Sequence, residues 1–144
     1  MDNASLFSTV NTIALVSWVV LLIFPFSQLV KKLLLGIVVV GLAILYVFLI
    51  TQTFDADAME SFGSLSGIAT MFQNEIALLA GWVHYLAFDL MVGLFITNNA
   101  QKYGVNRFIL IPCLFLTFML GPTGLLLYII IRSIYTKRYF EDYQ

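Results

Sequence analysis

The sequence predicts an all-α integral membrane protein in which four transmembrane helices form one compact antiparallel bundle. The first observation is composition: 61% of the 144 residues are apolar and 10% are charged, against about 45–50% and about 25% in soluble domains. The second is a mean hydropathy of +0.97. The third is a set of four apolar runs, each close to the roughly 20 residues that cross a bilayer. These runs do not alternate as membrane β-strands do.

The predicted spans cover about 9–30, 33–51, 75–97 and 108–131, in a single domain over 1–144. A signal peptide is not expected at the start, because the first basic residue, Lys31, follows the first apolar run. The fourth span contains Gly121 and Pro122 near its middle. Because proline removes a backbone donor, we expect a break there that lines a cavity or packs against protein, or a simple packing kink.

Basic residues near the ends of spans predict the orientation in the membrane. Four of them, Lys31, Lys32, Lys102 and Arg107, follow spans one and three, and three, Arg132, Lys137 and Arg138, lie in the tail. An even number of spans places both termini on one side. The count of four against three therefore predicts that both termini face away from the cytoplasm.

Several function classes are excluded by composition. A net charge of −1 argues against nucleic-acid binding, which needs a basic surface. The single cysteine, Cys113, cannot form an intrachain disulfide, and the single histidine cannot build a multi-histidine metal centre. No glycine-rich nucleotide-binding motif is present. We therefore predict no metal site and no cofactor, and membrane lipids as partners.

Three ionisable residues lie in the third span, where charge costs roughly 2.5–3.5 kcal/mol at the centre. They are Glu75, His84 and Asp89, and we treat them as candidate catalytic residues. At about 100° per residue, Glu75 and Asp89 share a face, whereas His84 lies about 140° from Asp89. If both His84 and Asp89 avoid lipid, this span must occupy the centre of the bundle.

Each of the three has a structural alternative. Glu75 can be an interfacial residue at a helix start, and His84 a neutral histidine bonded to a neighbouring helix. Asp89 can be the partner of Arg132 or of a tyrosine.

The fourth span carries small and polar residues on one stripe, with Arg132 at its edge. The stripe consists of Cys113, Thr117, Gly121, Gly124 and Tyr128. Small residues on one face let another helix approach closely, which predicts helix docking and a helix-mediated oligomer.

Two runs in the second half of the chain resemble the abscisic-acid-deficient-four-like membrane family. These are the W-x-H-Y-x-x-F-D run at 82–89 and the G-P-x-G-L-L-L-Y run at 121–128. The resemblance implies a role like the conversion of violaxanthin into neoxanthin in plant plastids, on a carotenoid or another isoprenoid. It also implies a location in the plastid membrane of a plant or the inner membrane of a bacterium.

That conversion is an isomerisation in which an epoxide opens and an allene forms, so it needs an acid and a base. The resemblance implies Asp89 as the acid or its orienting partner and His84 as the base. Candidate substrate-binding residues are Trp82, which would stack on a polyene, with Tyr85, Thr117, Tyr128 and Arg132. The alternative hypothesis is a non-enzymatic carotenoid- or lipid-binding protein or assembly subunit. A transporter fits less well, because few polar residues are available to line a route.

Overall fold

The computed structural model describes residues 2–53, 56–137 and 139–140, and every regular element within them is a helix. Arg138, which the sequence analysis assigns to the tail, lies outside the described residues. The helices are α1 Asn3–Ile23, α2 Gln28–Ile50, α3 Ala56–Ser61, α4 Leu65–Met71, α5 Glu75–Lys102, α6 Arg107–Leu120 and α7 Pro122–Thr136. Helix α2 includes a π-helical stretch at Leu34–Val39. Three helices, α1, α2 and α5, are long and apolar enough to cross a membrane.

Asparagine side chains mark where the helices of the second half begin. The Asn74 side chain accepts hydrogen bonds from the backbone N–H groups of Ile76 and Ala77, at 2.9 and 3.3 Å. The Asn106 side chain accepts one from Phe108, at 2.9 Å. Each cap satisfies donors that a helix start leaves unpaired, so α5 and α6 begin at the residues that follow.

Helix α5 lies at the centre of the bundle and packs against α1, α2, α6 and α7. Of its most apolar stretch 56% is buried, against 28% for α1 and 17% for α2. Close approach to α1 depends on Gly93, where an added Cβ would lie 2.7 Å from the Trp18 ring. The central position expected for the third span is what the structure has.

The predicted fourth span is wrong as a single helix, because α6 and α7 fold back on each other as a hairpin. The turn is Gly121, with φ 50° and ψ −105°. A Cβ on Gly124 would overlap backbone and side-chain atoms of Thr117 and the carbonyl oxygen of Cys113. Residues seven and eleven positions apart cannot touch in a straight helix, which rises 1.5 Å per residue.

The sequence around Gly121 explains the turn physically. Positive φ is accessible to glycine at little cost. Pro122 has no N–H to continue α6, and its fixed φ suits the first position of a new helix. At 14 and 15 residues, α6 and α7 are each about 21–23 Å long. Each is therefore shorter than the hydrocarbon thickness of about 30 Å.

The first and last described segments of the chain lie at opposite ends of α5, which differs from the arrangement expected for four complete spans. The Asn3 side chain donates a hydrogen bond to Glu75, the first residue of α5, at 3.3 Å. At the other end, the Arg132 guanidinium lies 5.5 Å from the centre of the Tyr103 ring. It also donates to the carbonyl of Tyr139 at 2.6 Å. The hairpin has returned the chain to the end at which α6 begins.

Candidate functional site

The candidate site residues fall into separate groups around α5. Its N-terminal half has a cavity on one side and a groove on the other. The middle of α5 contacts the hairpin turn at Gly121, and its C-terminal end is hydrogen-bonded to α7.

The cavity contains His84. Its volume is about 260 Å³. The His84 ring stacks on Phe88 with centroids 4.4 Å apart and lies 5.4 Å from the Tyr46 ring of α2. The other lining residues are Ile50, Thr53, Phe62, Met71, Phe72, Ala77 and Gly81. His84 thus contacts the aromatic rings of Tyr46 and Phe88, and its side chain is exposed.

The groove on the opposite side lies between α1 and α5 and contains Glu75 and Trp82. Its volume is about 500 Å³. Glu75 accepts the hydrogen bond from Asn3, and the Trp82 indole donates to the Asn11 side chain at 3.0 Å. Glu75 also lies in the first turn of α5, where a negative charge is favourable. These contacts agree with the interfacial interpretation of Glu75.

Asp89 lies at mid-helix, against the hairpin turn. It is 9% exposed, and a Cβ at Gly121 would lie 3.0 Å from its Oδ1. Its Oδ2 is buried and has no hydrogen-bond partner among the described residues. One turn earlier, the Tyr85 hydroxyl donates to the carbonyl of Phe118, at 3.3 Å. An α-helical residue 122 would bond that carbonyl, and Pro122 cannot.

His84 and Asp89 are therefore not brought together. His84 faces α2, whereas Asp89 faces the turn between α6 and α7. This separation follows from the angle of about 140° between them on the helix. Of the two structural alternatives for Asp89, the tyrosine is the one that the structure places nearby, since Arg132 lies at the far end of α5.

The remaining candidates hold the hairpin in place. The Thr117 hydroxyl donates to the carbonyl of Cys113 at 2.8 Å and is fully buried. The Tyr128 hydroxyl donates to the Asn99 side chain at 2.6 Å, and Arg132 donates to the same oxygen at 3.4 Å. The stripe that includes Gly124 and Thr117 is thus used within the chain, between α6 and α7. It does not face outward to dock a second copy.

Comparison with known proteins places the chain in a family. The family model described as ABA DEFICIENT 4-like matches residues 5–128. The chain belongs to this family. One similar protein is the Arabidopsis thaliana protein ABA DEFICIENT 4, chloroplastic, with 25% identity over 145 residues. The alignment covers 94% of this chain and 64% of that protein, so the chain spans less than two thirds of its relative. No solved structure matches the chain.

The matched ABA DEFICIENT 4-like region includes the His84 cavity, the Asp89 contact and the hairpin as far as Tyr128. Sequence reasoning missed Asn99, because the third span was expected to end at 97, whereas α5 continues to Lys102. It also treated Lys31 as a loop residue. Lys31 lies in the first turn of α2, is 5% exposed and donates to the Gln101 side chain at 2.7 Å. For Asn99, the sequence signal was the polar pair Asn98-Asn99, which follows directly after the apolar run of the third span.

Proposed function

We propose that this protein is a carotenoid-related membrane protein that acts as an acid–base isomerase, or as an accessory to one. Its substrate would be a carotenoid or another long isoprenoid. The observation that carries the proposal is the aromatic-lined cavity at His84, within a chain of the ABA DEFICIENT 4-like family. In this proposal α1, α2 and α5 cross the membrane.

The chemistry of the cavity favours an apolar ligand with a small polar group. Ligand sites are lined mainly by hydrophobic and aromatic side chains, with few polar groups that orient the ligand. Aromatic rings from three parts of the chain, Tyr46, Phe62 and Phe72, line the cavity together with His84. A volume of about 260 Å³ lies just below the usual range of about 300–1,000 Å³. It therefore suits a ring-sized end group, while the remaining polyene lies along the lipid-facing surface.

An isomerisation that opens an epoxide and forms an allene needs one proton donated to oxygen and one removed from carbon. No electron leaves or enters, so the balance needs no co-reactant. Histidine can perform either transfer near neutral pH, and His84 is the group that the cavity offers. Asp89 and Tyr85 would contribute indirectly, by holding the hairpin against α5.

Pigment chromatography in a carotenoid-producing bacterial host tests this proposal. Wild type, His84→Gln and a matched control, Asn98→Ala, are compared at equal amounts of membrane-inserted protein. Asn98 is exposed on α5 and lies outside the cavity. We expect a new pigment isomer with wild type and Asn98→Ala, and its loss with His84→Gln. Undiminished isomer from His84→Gln would refute the catalytic assignment.

The second candidate is a non-enzymatic carotenoid- or lipid-binding protein. The separation of His84 from Asp89 favours it, because the lining residues that the structure describes include no carboxylate. This candidate predicts unmodified pigment that co-purifies with wild type and with His84→Gln. Pigment should be lost with Ala77→Leu, which fills the cavity, and kept with Ala4→Leu, which lies in the opposite groove. Retention of pigment in Ala77→Leu would contradict binding in this cavity.

A further inference from the structure

The hairpin gathers the basic side chains at one end of the molecule. The structure describes six of the seven Lys and Arg residues. All six lie at the end of the bundle where α5 finishes: Lys31, Lys32, Lys102, Arg107, Arg132 and Lys137. We call this the basic end.

Specific contacts place these residues together. Lys31, at the start of α2, bonds to Gln101, in the last turn of α5. Arg107, at the start of α6, donates to the carbonyl of Ile23, at the end of α1, at 2.6 Å. Arg132 reaches Tyr103 from α7. The basic end thus joins five helix termini from all parts of the chain.

The opposite end of the bundle is acidic in its described part. Asp2 precedes α1, Glu60 lies in α3 and Glu75 begins α5. The described residues at this end include no Lys or Arg. Asp89, halfway along α5, belongs to neither end.

We infer that the basic end lies at the cytoplasmic face of the membrane, or at the stromal face in a plastid, against anionic lipid headgroups. Lys and Arg near the ends of spans remain on the cytoplasmic side, and anionic headgroups attract them there. The near-tie of the sequence count, four against three, arose because the tail was assigned to the wrong side. Because the hairpin brings the tail back, all six described basic residues lie at the basic end and none lies at the acidic end.

The same orientation assigns the hairpin to one face. Helix α6 enters from the basic end, turns at Gly121 beside Asp89, and α7 returns. Irregular backbone at membrane depth is tolerated only where protein covers it. Gly121 is buried, its N–H bonds to the carbonyl of Thr117 at 2.8 Å, and Tyr85 donates to Phe118. The backbone of the turn therefore has protein partners at Gly121 and Phe118, while the side chains of Leu120, Pro122 and Thr123 are exposed. In this orientation the hairpin is a re-entrant segment, and α1 begins at the periplasmic face, or in a plastid at the face opposite the stroma.

Cysteine labelling with a membrane-impermeant maleimide tests the orientation in the full-length protein. Ser66→Cys marks the acidic end and Phe140→Cys the basic end, and both positions are exposed. The background carries Cys113→Ala, so that the introduced cysteine is the only thiol. The native thiol is buried. In intact spheroplasts of a bacterial host, we expect labelling of Ser66→Cys alone. In inverted membrane vesicles, we expect labelling of Phe140→Cys alone.

Two results would overturn this inference. Labelling of both cysteines from the same side would restore a fourth complete span, and the reverse pattern would invert the orientation. Neither result depends on a pigment, so failure here is distinguishable from failure of the proposed function.

Reconstitution tests the headgroup contact separately. Vesicles of phosphatidylcholine alone are compared with vesicles that also contain phosphatidylglycerol. We expect a higher Tm in the anionic vesicles, and a smaller difference for the pair Lys32→Gln and Lys137→Gln. Glu60→Gln, at the acidic end, is the control and should keep the full difference. Equal Tm values for wild type in both vesicles would overturn the headgroup contact.

Discussion

Gly121 is the residue on which the path of the C-terminal helices depends. Its φ of 50° lies in the region that favours glycine, and its ψ of −105° leaves the left-handed helical well. A side chain there would also press on the Asp89 carboxylate. Both the backbone conformation and the close carboxylate therefore disfavour any other amino acid at this position.

Replacement of Gly121 by alanine should destabilise the protein by about 1–3 kcal/mol, the usual cost of a strained backbone conformation. The measurement is the free energy of unfolding in detergent. Gly36→Ala is the matched control, because Gly36 is helical and has open space around its missing Cβ. Alanine is favoured over glycine within helices, so the control should be neutral or slightly more stable. Equal effects of the two substitutions would contradict the strained turn.

Asp89 and Tyr85 lie one turn apart on α5, and both face the hairpin turn. The sequence singled out Asp89 because a mid-span carboxylate is costly. It offered two interpretations, chemistry together with His84 or a structural partner, either Arg132 or a tyrosine. The structure puts Asp89 against Gly121 and His84 beside Tyr46 and Phe88. A helical wheel gives the angle between two side chains but not which neighbour each side chain meets.

At the scale of the element, the hairpin is attached to α5 through Asn99. Its side-chain oxygen accepts from the Tyr128 hydroxyl and from Arg132. Tyr128 is fully buried and Asn99 is 4% exposed, so this hydrogen bond is shielded from water. Loss of one partner from such a pair costs about 1–3 kcal/mol.

The Tyr128→Phe variant should therefore loosen α7 without unfolding the bundle. Hydrogen exchange measured by mass spectrometry should be faster across Pro122–Thr136, while exchange in α1 and α2 stays unchanged. The control is Tyr135→Phe, whose side chain is 59% exposed on the same helix. Unchanged exchange in α7 of Tyr128→Phe would show that the contact with Asn99 does not hold the hairpin.

The fourth predicted span is two short helices, and hydropathy alone does not separate them. A hydropathy window measures apolar length, and two helices of 14 and 15 residues together resemble one long span. Gly121 and Pro122 did predict a break. The direction of the chain after the break depends on the packing of Gly124 against Thr117, which is a tertiary contact. The helix propensities of the residues do not encode that direction.

For the whole molecule, composition and run length were sufficient to predict an all-helical membrane protein, because the costs of apolar surface in water and of polar groups in lipid add up along the chain. The central position of the third span was predicted separately, on the condition that both His84 and Asp89 avoid lipid. The expected orientation rested on four crossings, so it inherits any error in that number. With α6 and α7 folded as a hairpin, Arg132 lies at the same end of α5 as Tyr103 and not at the opposite end.

The candidate site was predictable only in its parts. Sequence identified α5 as the helix that carries His84 and Asp89, and the resemblance at 82–89 and 121–128 identified the family. The cavity around His84 needed α4 and the chain between α2 and α5 to close over it, with Phe62 and Phe72 as lining residues. These two residues come from the segment between α2 and α5, whose sequence shows no apolar periodicity that predicts their position.

The hairpin of α6 and α7 can be tested with one distance between the two helices. Spin labels at Phe108→Cys and Ile134→Cys, in the Cys113→Ala background, report the separation by electron paramagnetic resonance. Both positions are exposed, at 79% and 74%, and each lies 13 residues from Gly121. Packed helices are about 8–10 Å apart, so with label reach we expect a distribution centred at about 10–20 Å. A continuous helix would place the two positions, 26 residues apart, about 39 Å from each other, and that result would contradict the hairpin.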